Sequence, residues 1–239
     1  MSSFTFLFGQ DWNGPMKSAQ KKHKRVKAAY DNKYQNLKTQ VVKSGHVMTE
    51  YEIYLRVFKQ EDEVEVWLKD KQDVIYTHLK TYSVCAKSGD LGPKRKEGDG
   101  QVPEGFYYIS SFNAFSSYHL SMKVSYPNKS DLMKANGKPG GDIMVHGECV
   151  TIGCIPLEND QIEELYILCM EAFDRRTKVH IDIFPCKMTD ENMKKLEKNY
   201  DKEIIAFWKT LKPAYDYFQD NKFVPDMKID KNGDYYLVK

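Results

Sequence analysis

The sequence predicts a mainly β protein with flanking helices, in the α+β class. From Tyr51 onward, apolar and polar residues alternate with the period of a half-buried strand, whereas apolar stripes with helical spacing occur near both ends of the chain. The 239 residues include 16 tyrosines and 12 phenylalanines, and aromatic residues are enriched in strands. The chain is long enough to bury one sizeable core with helices appended to it.

An antiparallel meander is predicted to open the β region, with a turn at Glu61-Asp62. A loop rich in glycine, proline and charge then covers 88–105. The strand predicted over 178–184 is expected to pack beside the short buried strand that begins at Asp142 and leads to His146. The predicted strands are 51–59, 63–69, 74–85, 106–110, 117–125, 142–145, 178–184 and 235–238, the last after a turn at Asn232-Gly233.

Three helices are predicted around these strands. The first follows the basic run Lys17–Lys27 and ends near Gly45, and that run is interpreted as a solvated helix face or, alternatively, as a surface for an anionic polymer or membrane. The second covers 159–173, with Asp160 and Glu163 as a capping box. The third covers 189–211 and is capped by Thr189.

Charge and cysteine content narrow the functional class. The net charge of +2 and the lack of aromatics within the basic run give no support for nucleic-acid binding, and no apolar run has the length of a membrane helix. Five cysteines are an odd number, which is consistent with one free working thiol. Cys149 is interpreted as a plain loop cysteine, with pairing to Cys154 as the alternative, and Cys169 and Cys186 as structural thiols.

The segment 141–156, GDIMVHGECVTIGCIP, carries the candidate chemistry. His146 ends a predicted strand, and Cys154 follows eight positions later, just before a helix. A cysteine attacks as its thiolate and needs a base, and a histidine titrates near neutral pH and can accept that proton. Gly147 and Gly153 permit a tight turn whose amides could hold an oxyanion. The pair therefore indicates nucleophilic catalysis.

Other interpretations of the same residues remain open at this point. A buried cysteine and a buried histidine are common in ordinary cores. A metal site formed by His146, Cys149 and Cys154 has no pair of closely spaced cysteines and only three ligands. His119 is a second histidine that would either line the cleft beside the thiol or be a satisfied residue on the sheet.

The motif HGECVTIGC resembles the signature of the YkuD-type L,D-transpeptidase catalytic domain in its YafK-like branch, which has His146, Gly147, Thr151, Gly153 and Cys154 in the matching positions. The resemblance extends from about 51 to 185 and includes three more stretches in the same order: 102–107 (VPEGFY), 126–131 (YPNKSD) and 140–143 (GGDI). Most members of the wider family have Ser-His-Gly-Cys at the nucleophile. This chain has Thr151-Ile152-Gly153-Cys154 and no second histidine there.

The resemblance implies a β-sandwich or barrel catalytic domain over 49–187. An N-terminal segment and helix over 1–48 would precede it, with the apolar start Ser2–Gly9 as a possible signal remnant, and a C-terminal helical extension over 188–239 would follow. It also implies that the backbone carbonyl of Gly147 orients His146, and that Thr151 and His119 are candidates for substrate binding. Loop 88–105 would lie at the rim of the active site.

The activity implied is acyl transfer on peptidoglycan stem peptides, through a thioester on Cys154 with His146 as base and without a cofactor or metal. Hydrolysis by an L,D-carboxypeptidase or amidase, acting on peptidoglycan or on its linkage to an envelope lipoprotein, is the alternative. A non-catalytic envelope binding module is a third possibility. Each implies a protein of the cell envelope, periplasmic or exported.

Overall fold

The computed structural model describes residues 15–48, 50–175 and 177–238; the predicted signal remnant at 2–9 lies outside them. Among these residues, no helix combines the length and apolar character needed to cross a membrane. The helices are α1 (Pro15–Gln20), α2 (Lys24–Lys43), α3 (Lys129–Lys134), α4 (Asn159–Phe173), α5 (Asp190–Asn199) and α6 (Lys202–Asn221). The strands are β1 (Tyr51–Phe58), β2 (Glu63–Asp70), β3 (Thr77–Ser83), β4 (Gly105–Asn113), β5 (Ser121–Val124), β6 (Met144–His146), β7 (Ile155–Pro156), β8 (His180–Phe184), β9 (Met227–Ile229) and β10 (Tyr235–Leu237).

Eight strands form one curled mixed sheet in the order β3-β2-β1-β8-β4-β5-β6-β7, and β9 and β10 form a separate hairpin. The predicted class, mainly β with flanking helices, is confirmed, and the meander β1–β2–β3 is antiparallel as expected. The expected position of β8 is wrong. It pairs parallel with β1 and antiparallel with β4 in the centre of the sheet, whereas β6 pairs with β5 and β7 near one edge.

Side chains alternate along β1 and divide the core between the two faces of the sheet. Ile53, Leu55 and Val57 pack in the cluster that includes α2 and α4, where the predicted stripe of α4 is buried. The helix is buried on further sides too, because Ile167 and Leu168 are inaccessible. The capping box predicted for α4 is absent: the N-cap residue is Glu158, and its side chain makes no capping hydrogen bond.

The C-terminal helices cover the other face of the sheet, where Phe58 and Phe184 pack with Trp208 and Leu211. The single helix predicted over 189–211 is two helices. Thr189 caps the first as expected, and Asp201 caps the second by accepting a hydrogen bond from the amide of Ile204 at 2.9 Å. The break follows from the extended backbone of Tyr200, which ends α5.

The strand predicted over 117–125 is shorter than expected. Only Ser121–Val124 pairs with its neighbours, because the backbone of His119 has a φ of 63° and cannot continue a strand. The preceding residues form a bend onto which the basic N-terminal region docks. Arg25 donates to the carbonyls of Ser116 (2.7 Å) and His119 (2.8 Å), so part of the basic run is in contact with the sheet rather than only solvated.

Candidate active site

Parallel pairing of β6 with β7 brings the histidine and the cysteine of the motif together. The register matches Val145 with Ile155 and His146 with Pro156, so Cys154 continues it opposite Met144. From the strand spacing and rise, the Cα atoms of His146 and Cys154 are about 8 Å apart. The sulfur of Cys154 lies against the backbone that leads to His146, and its thiol donates to the carbonyl of Asp142 at 3.6 Å. The amide of Met144 donates to the sulfur of Cys154 at 3.4 Å.

The His146 side chain is 2% exposed and held from two sides. Its Nδ1 lies 2.6 Å from the carbonyl oxygen of Gly147, and its ring packs on Tyr118 with centroids 4.9 Å apart. A carbonyl can only accept, so Nδ1 carries the proton and Nε2 is left with its lone pair. Burial lowers the pKa of His146 below its ordinary 6.5. The ring is therefore a neutral base at neutral pH.

Cys154 is half-buried and its sulfur is not in a disulfide. Burial raises the pKa of the thiol above its ordinary 9.0, although the amide of Met144 partly opposes the shift. At neutral pH the site thus holds a protonated thiol and a neutral imidazole. Such a pair needs proton transfer to the histidine as the sulfur attacks.

Thr151 holds the loop that carries the thiol. Its hydroxyl oxygen accepts from the amides of Gly153 (3.2 Å) and Cys154 (2.8 Å) and donates to the carbonyl of Cys154 (2.9 Å). A hydroxyl offers one donor and two acceptor positions, so all are used. These two amides were candidates for an oxyanion site, and the hydroxyl of Thr151 was a candidate for substrate binding. In this structure the amides and the hydroxyl are hydrogen-bonded to each other.

The two motif glycines occupy positions at which a side chain would collide with neighbouring atoms. A Cβ on Gly147 would lie 2.6 Å from Oδ1 of Asn159, and one on Gly153 would lie 3.1 Å from the carbonyl oxygen of Gln101. Gly153 also has a φ of 130°, which favours glycine. Close packing of the loop 88–105 and of α4 against the motif accounts for both residues.

His119 lies near the motif but has another partner. Its Nε2 is 2.8 Å from Oε1 of Glu163, on α4. The structure therefore places it with a carboxylate, and its predicted role in substrate binding remains a prediction.

Cys149 is not the plain loop cysteine that the sequence suggested. It forms a disulfide with Cys85, across a Cα–Cα distance of 5.3 Å. The amide of Cys85 also donates to the carbonyl of Pro156 at 3.1 Å, so the segment after β3 is attached to both ends of the cysteine loop. A metal site formed by His146, Cys149 and Cys154 would lack one thiolate, because a disulfide sulfur has no proton to lose.

A cavity of about 340 Å³ opens beside the sulfur of Cys154. Its walls come from the end of β1, from the segment after β3 and from the C-terminal extension, which contributes Tyr200. Loop 88–105 supplies part of the rim, as the resemblance implied. Within that loop, Lys94 is buried and donates a hydrogen bond to the carboxylate of Asp99, so its ammonium is not open to a substrate.

A buried ion pair supports this cavity. Lys59 lines it, and its ammonium lies 2.9 Å from the carboxylate of Glu104, which also accepts from the indole N–H of Trp208 at 2.6 Å. Trp208 packs edge-on against Tyr200, with centroids 4.9 Å apart. None of these residues was a candidate functional residue from the sequence. Glu104 lies within the VPEGFY stretch, whereas Tyr200 carries no local signal.

The fold and this site define a family of cell-wall enzymes. A family model for the YkuD L,D-transpeptidase catalytic domain matches residues 52–181, and the chain belongs to that family, whose members act on peptidoglycan peptides. One relative is the protein named "Putative L,D-transpeptidase YafK" from Escherichia coli (strain K12), which is 35% identical over 190 residues, covering 78% of this chain and 74% of that protein. A protein of the same name from Escherichia coli O157:H7 matches equally well.

The solved structures to which the chain is similar are more distant. The helical cell shape determining protein Pgp2 from Campylobacter jejuni has a TM-score of 0.46 and 17% identity, with 81% of this chain and 80% of that chain covered. Mycobacterium tuberculosis L,D-transpeptidase 1 has a TM-score of 0.28 and 14% identity, with 56% and 62% covered. Family membership therefore rests on the family model and the Escherichia coli relatives.

Proposed function

We propose that this protein is a cysteine acyltransferase that acts on peptidoglycan stem peptides in the cell envelope. The observation that carries the proposal is the pairing of β6 with β7, which brings the segments that hold His146 and Cys154 side by side, with a cavity lined by Cys154. Family membership supplies the substrate class. The disulfide is consistent with the oxidising compartment that such a location implies.

In the proposed reaction, Nε2 of His146 takes the thiol proton as the sulfur of Cys154 attacks an amide carbonyl at the L-configured centre of a diamino acid. The carbon–nitrogen bond then breaks while the imidazolium protonates the departing amine. The products of this half-reaction are a free amine and a thioester on Cys154. The Gly147 carbonyl holds the imidazole in the required tautomer throughout.

The developing oxyanion needs an amide donor, and a donor of this kind contributes about 3–4 kcal/mol. The amide of Gly153 is our candidate, because its bond to Thr151 at 3.2 Å is the longer of the two loop bonds. A shift of this one bond toward substrate would leave the Cys154 amide bonded to Thr151 and the loop in place.

Two acceptors can resolve the thioester. An amine gives a cross-link or an attached envelope lipoprotein, whereas water gives hydrolysis, the carboxypeptidase or amidase outcome. In both cases the acceptor loses a proton to His146, the carbon–sulfur bond breaks, and the thiolate is protonated again. Transfer is our first choice on family membership, and hydrolysis is the alternative, for which water needs no acceptor site.

The test is to incubate the full chain with a pool of muropeptides and to read the products by mass. A new dimer indicates transfer, and the loss of a terminal group with addition of water indicates hydrolysis. Cys154→Ala is expected to abolish either product while the circular dichroism spectrum is retained. Cys169→Ala, which removes a buried thiol in α4, is the matched control and should remain active.

A binding module would behave differently from an enzyme in the same assay. It would leave the muropeptide pool unchanged, and iodoacetamide would not alter its affinity for isolated sacculi. Product formation by the wild type that persists undiminished in Cys154→Ala would contradict the assignment of the nucleophile.

A further inference from the structure

A second cleft lies apart from the cavity at Cys154. That cavity is lined by Phe58 and Lys59, at the end of β1, whereas the cleft is lined by Glu52, near the start of β1, and extends along β8 as far as Asp182. The cavity and the cleft share no lining residue. The cleft is therefore distinct from the proposed active site.

The cleft consists of two adjoining cavities, of about 590 and 370 Å³. They share Lys178, His180, Pro225 and Asp226. The sheet forms the floor, because Tyr108 on β4 pairs with His180 on β8. The segment that follows α6 forms the facing wall. Clefts of several hundred Å³ are the size at which proteins bind small molecules.

Two aromatic side chains in this cleft are unusually accessible. Tyr108 is 41% exposed and lines one cavity, and Phe223 is 36% exposed and lines the other. The ammonium of Lys178 lies 4.4 Å from the centre of the Tyr108 ring and orients it. Accessible aromatic rings in a cleft suit a ligand with flat apolar faces and polar edges.

The lining of the cleft has little net charge. Glu52 forms an ion pair with Lys69 at 3.1 Å and accepts from the hydroxyl of Tyr76 at 3.0 Å. Lys178 and Asp226 contribute one charge of each sign. Asp182 also lines the second cavity, and burial raises its pKa to about 7, which reduces its charge at neutral pH. Such a lining gives little advantage to an anionic or cationic ligand.

His180 supplies free hydrogen-bonding capacity between the two cavities. Burial lowers its pKa to about 4, so the imidazole is uncharged at neutral pH. The ring makes no hydrogen bond within the described part of the chain, and a neutral imidazole offers one donor and one acceptor. Hydroxyl groups of a ligand can use both.

We propose that this cleft binds an uncharged oligosaccharide, whose pyranose rings stack their C–H faces on Tyr108 and Phe223 and whose hydroxyls reach His180. Sugar rings combine the apolar face and the polar edge that the lining requires. Binding in this cleft does not depend on catalysis by Cys154, because the cleft shares no lining residue with the cavity at that thiol.

The test uses a neutral probe, the β-1,4-linked tetramer of N-acetylglucosamine, titrated into the full-length Cys154→Ala protein by calorimetry. Saturable binding is expected, and Tyr108→Ala and Phe223→Ala should each weaken it about tenfold, because each removes one stacking face. Phe115→Ala is the matched control, because Phe115 is 77% exposed outside the cleft. It should leave the affinity unchanged.

Two results would overturn the proposal: no binding of the tetramer at millimolar concentration, or binding that neither cleft variant weakens. Backbone amide shifts of labelled protein provide a second readout, and perturbations should include His180 and Tyr108. A failure here would leave muropeptide turnover by the wild type untouched, and a failure of that turnover would leave sugar binding untouched, so the two proposals fail separately.

Discussion

At the scale of single residues, the protonation states of His146 and Cys154 decide how the site works. Burial lowers the pKa of the imidazole and raises that of the thiol. Both shifts favour the neutral pair over an imidazolium–thiolate pair. In the proposed mechanism, the active form of the free protein therefore has an unprotonated His146 that can accept a proton.

The pH dependence of kcat/KM follows from this arrangement. As the pH falls, His146 becomes protonated and can no longer act as a base, so activity should be lost only below pH 6.5, the ordinary pKa of histidine. A profile measured with a muropeptide substrate tests this. An acidic limb whose midpoint lies well above 6.5 would contradict a lowered histidine pKa.

Thr151 provides a second prediction at this scale. Thr151→Val keeps the shape of the side chain but removes three hydrogen bonds in the loop, each worth about 1 kcal/mol. We expect kcat to fall at least tenfold while the rest of the fold is kept. Thr39→Val, on the exposed face of α2, removes one hydroxyl elsewhere and should leave kcat unchanged. Equal kcat values for Thr151→Val and the wild type would refute the positioning role.

The sequence motif was informative about residue types but about only one of their contacts. Spacing and chemistry selected His146 and Cys154, and the expected contact between His146 and the Gly147 carbonyl is present. The partners of Thr151 were not predictable, because an i to i+3 contact depends on a loop conformation that no periodicity describes. The sequence predicted that Glu163 lies on a helix, but it did not predict the contact of Glu163 with His119.

At the scale of elements, the Cys85–Cys149 disulfide joins the segment after β3 to the loop between β6 and β7. It closes a sequence separation of 64 residues, for which the chain-entropy model gives about 4 kcal/mol of stabilisation. The same segment continues into the wall of the catalytic cavity at Lys87 and Asp90. Loosening the disulfide should therefore affect both stability and turnover.

The double variant Cys85→Ala/Cys149→Ala tests this expectation. We expect a lower midpoint in urea and a lower kcat/KM, with Cys154 still reactive toward iodoacetamide. The control is again Cys169→Ala, which removes a thiol that forms no disulfide. Unchanged stability and turnover in the double variant would show that the disulfide does not hold the loop.

Element types followed from the sequence more readily than their neighbours did. The periodicity of α4 and of the β1–β2 pair is strong, and both formed as predicted. The place of β8 was wrong because its apolar alternation fits any buried strand, and only tertiary packing sets its partners. The break after α5 depends on the cap at Asp201, a signal that lies within an otherwise continuous helical pattern.

At the scale of the whole molecule, the C-terminal extension is part of the body that holds the site. Trp208, Leu211 and Phe218 are fully buried, and the indole of Trp208 donates to buried Glu104 beneath the cavity. Arg56 is also fully buried, with its guanidinium 4.7 Å from the ring centre of Phe218. Removing the extension would expose this surface of the sheet to water.

Truncation before α5 tests this integration. Each large buried side chain of α6 that is removed costs several kcal/mol of stability. The sum of these costs exceeds the free energy of unfolding of a typical domain. We expect the fragment 1–187 to be insoluble or unfolded, and the full chain to unfold in one cooperative transition in urea. A stable, active fragment would show that the extension is a separate appendage. The proposed boundary at 187 would then be a true domain boundary.

The overall class was predictable because alternation and helical stripes are properties of the chain itself. The contacts between residues that are distant in sequence were not predictable from the chain. Tyr200 reaches the cavity from an extension that the sequence suggested only as added helices. Likewise, Lys59 forms an ion pair with Glu104. Glu104 also accepts a hydrogen bond from Trp208, which lies 104 positions further along the chain.

The proposed mechanism requires that the substrate becomes covalently attached to the sulfur of Cys154. To detect this intermediate, the wild-type protein is quenched with acid during turnover of muropeptides, and the mass of the proteolytic peptide that contains Cys154 is determined. We expect an added mass equal to the acyl part of the substrate, sensitive to hydroxylamine and absent from Cys154→Ala. Turnover with no such adduct, or with an adduct on another residue, would rule out Cys154 as the nucleophile.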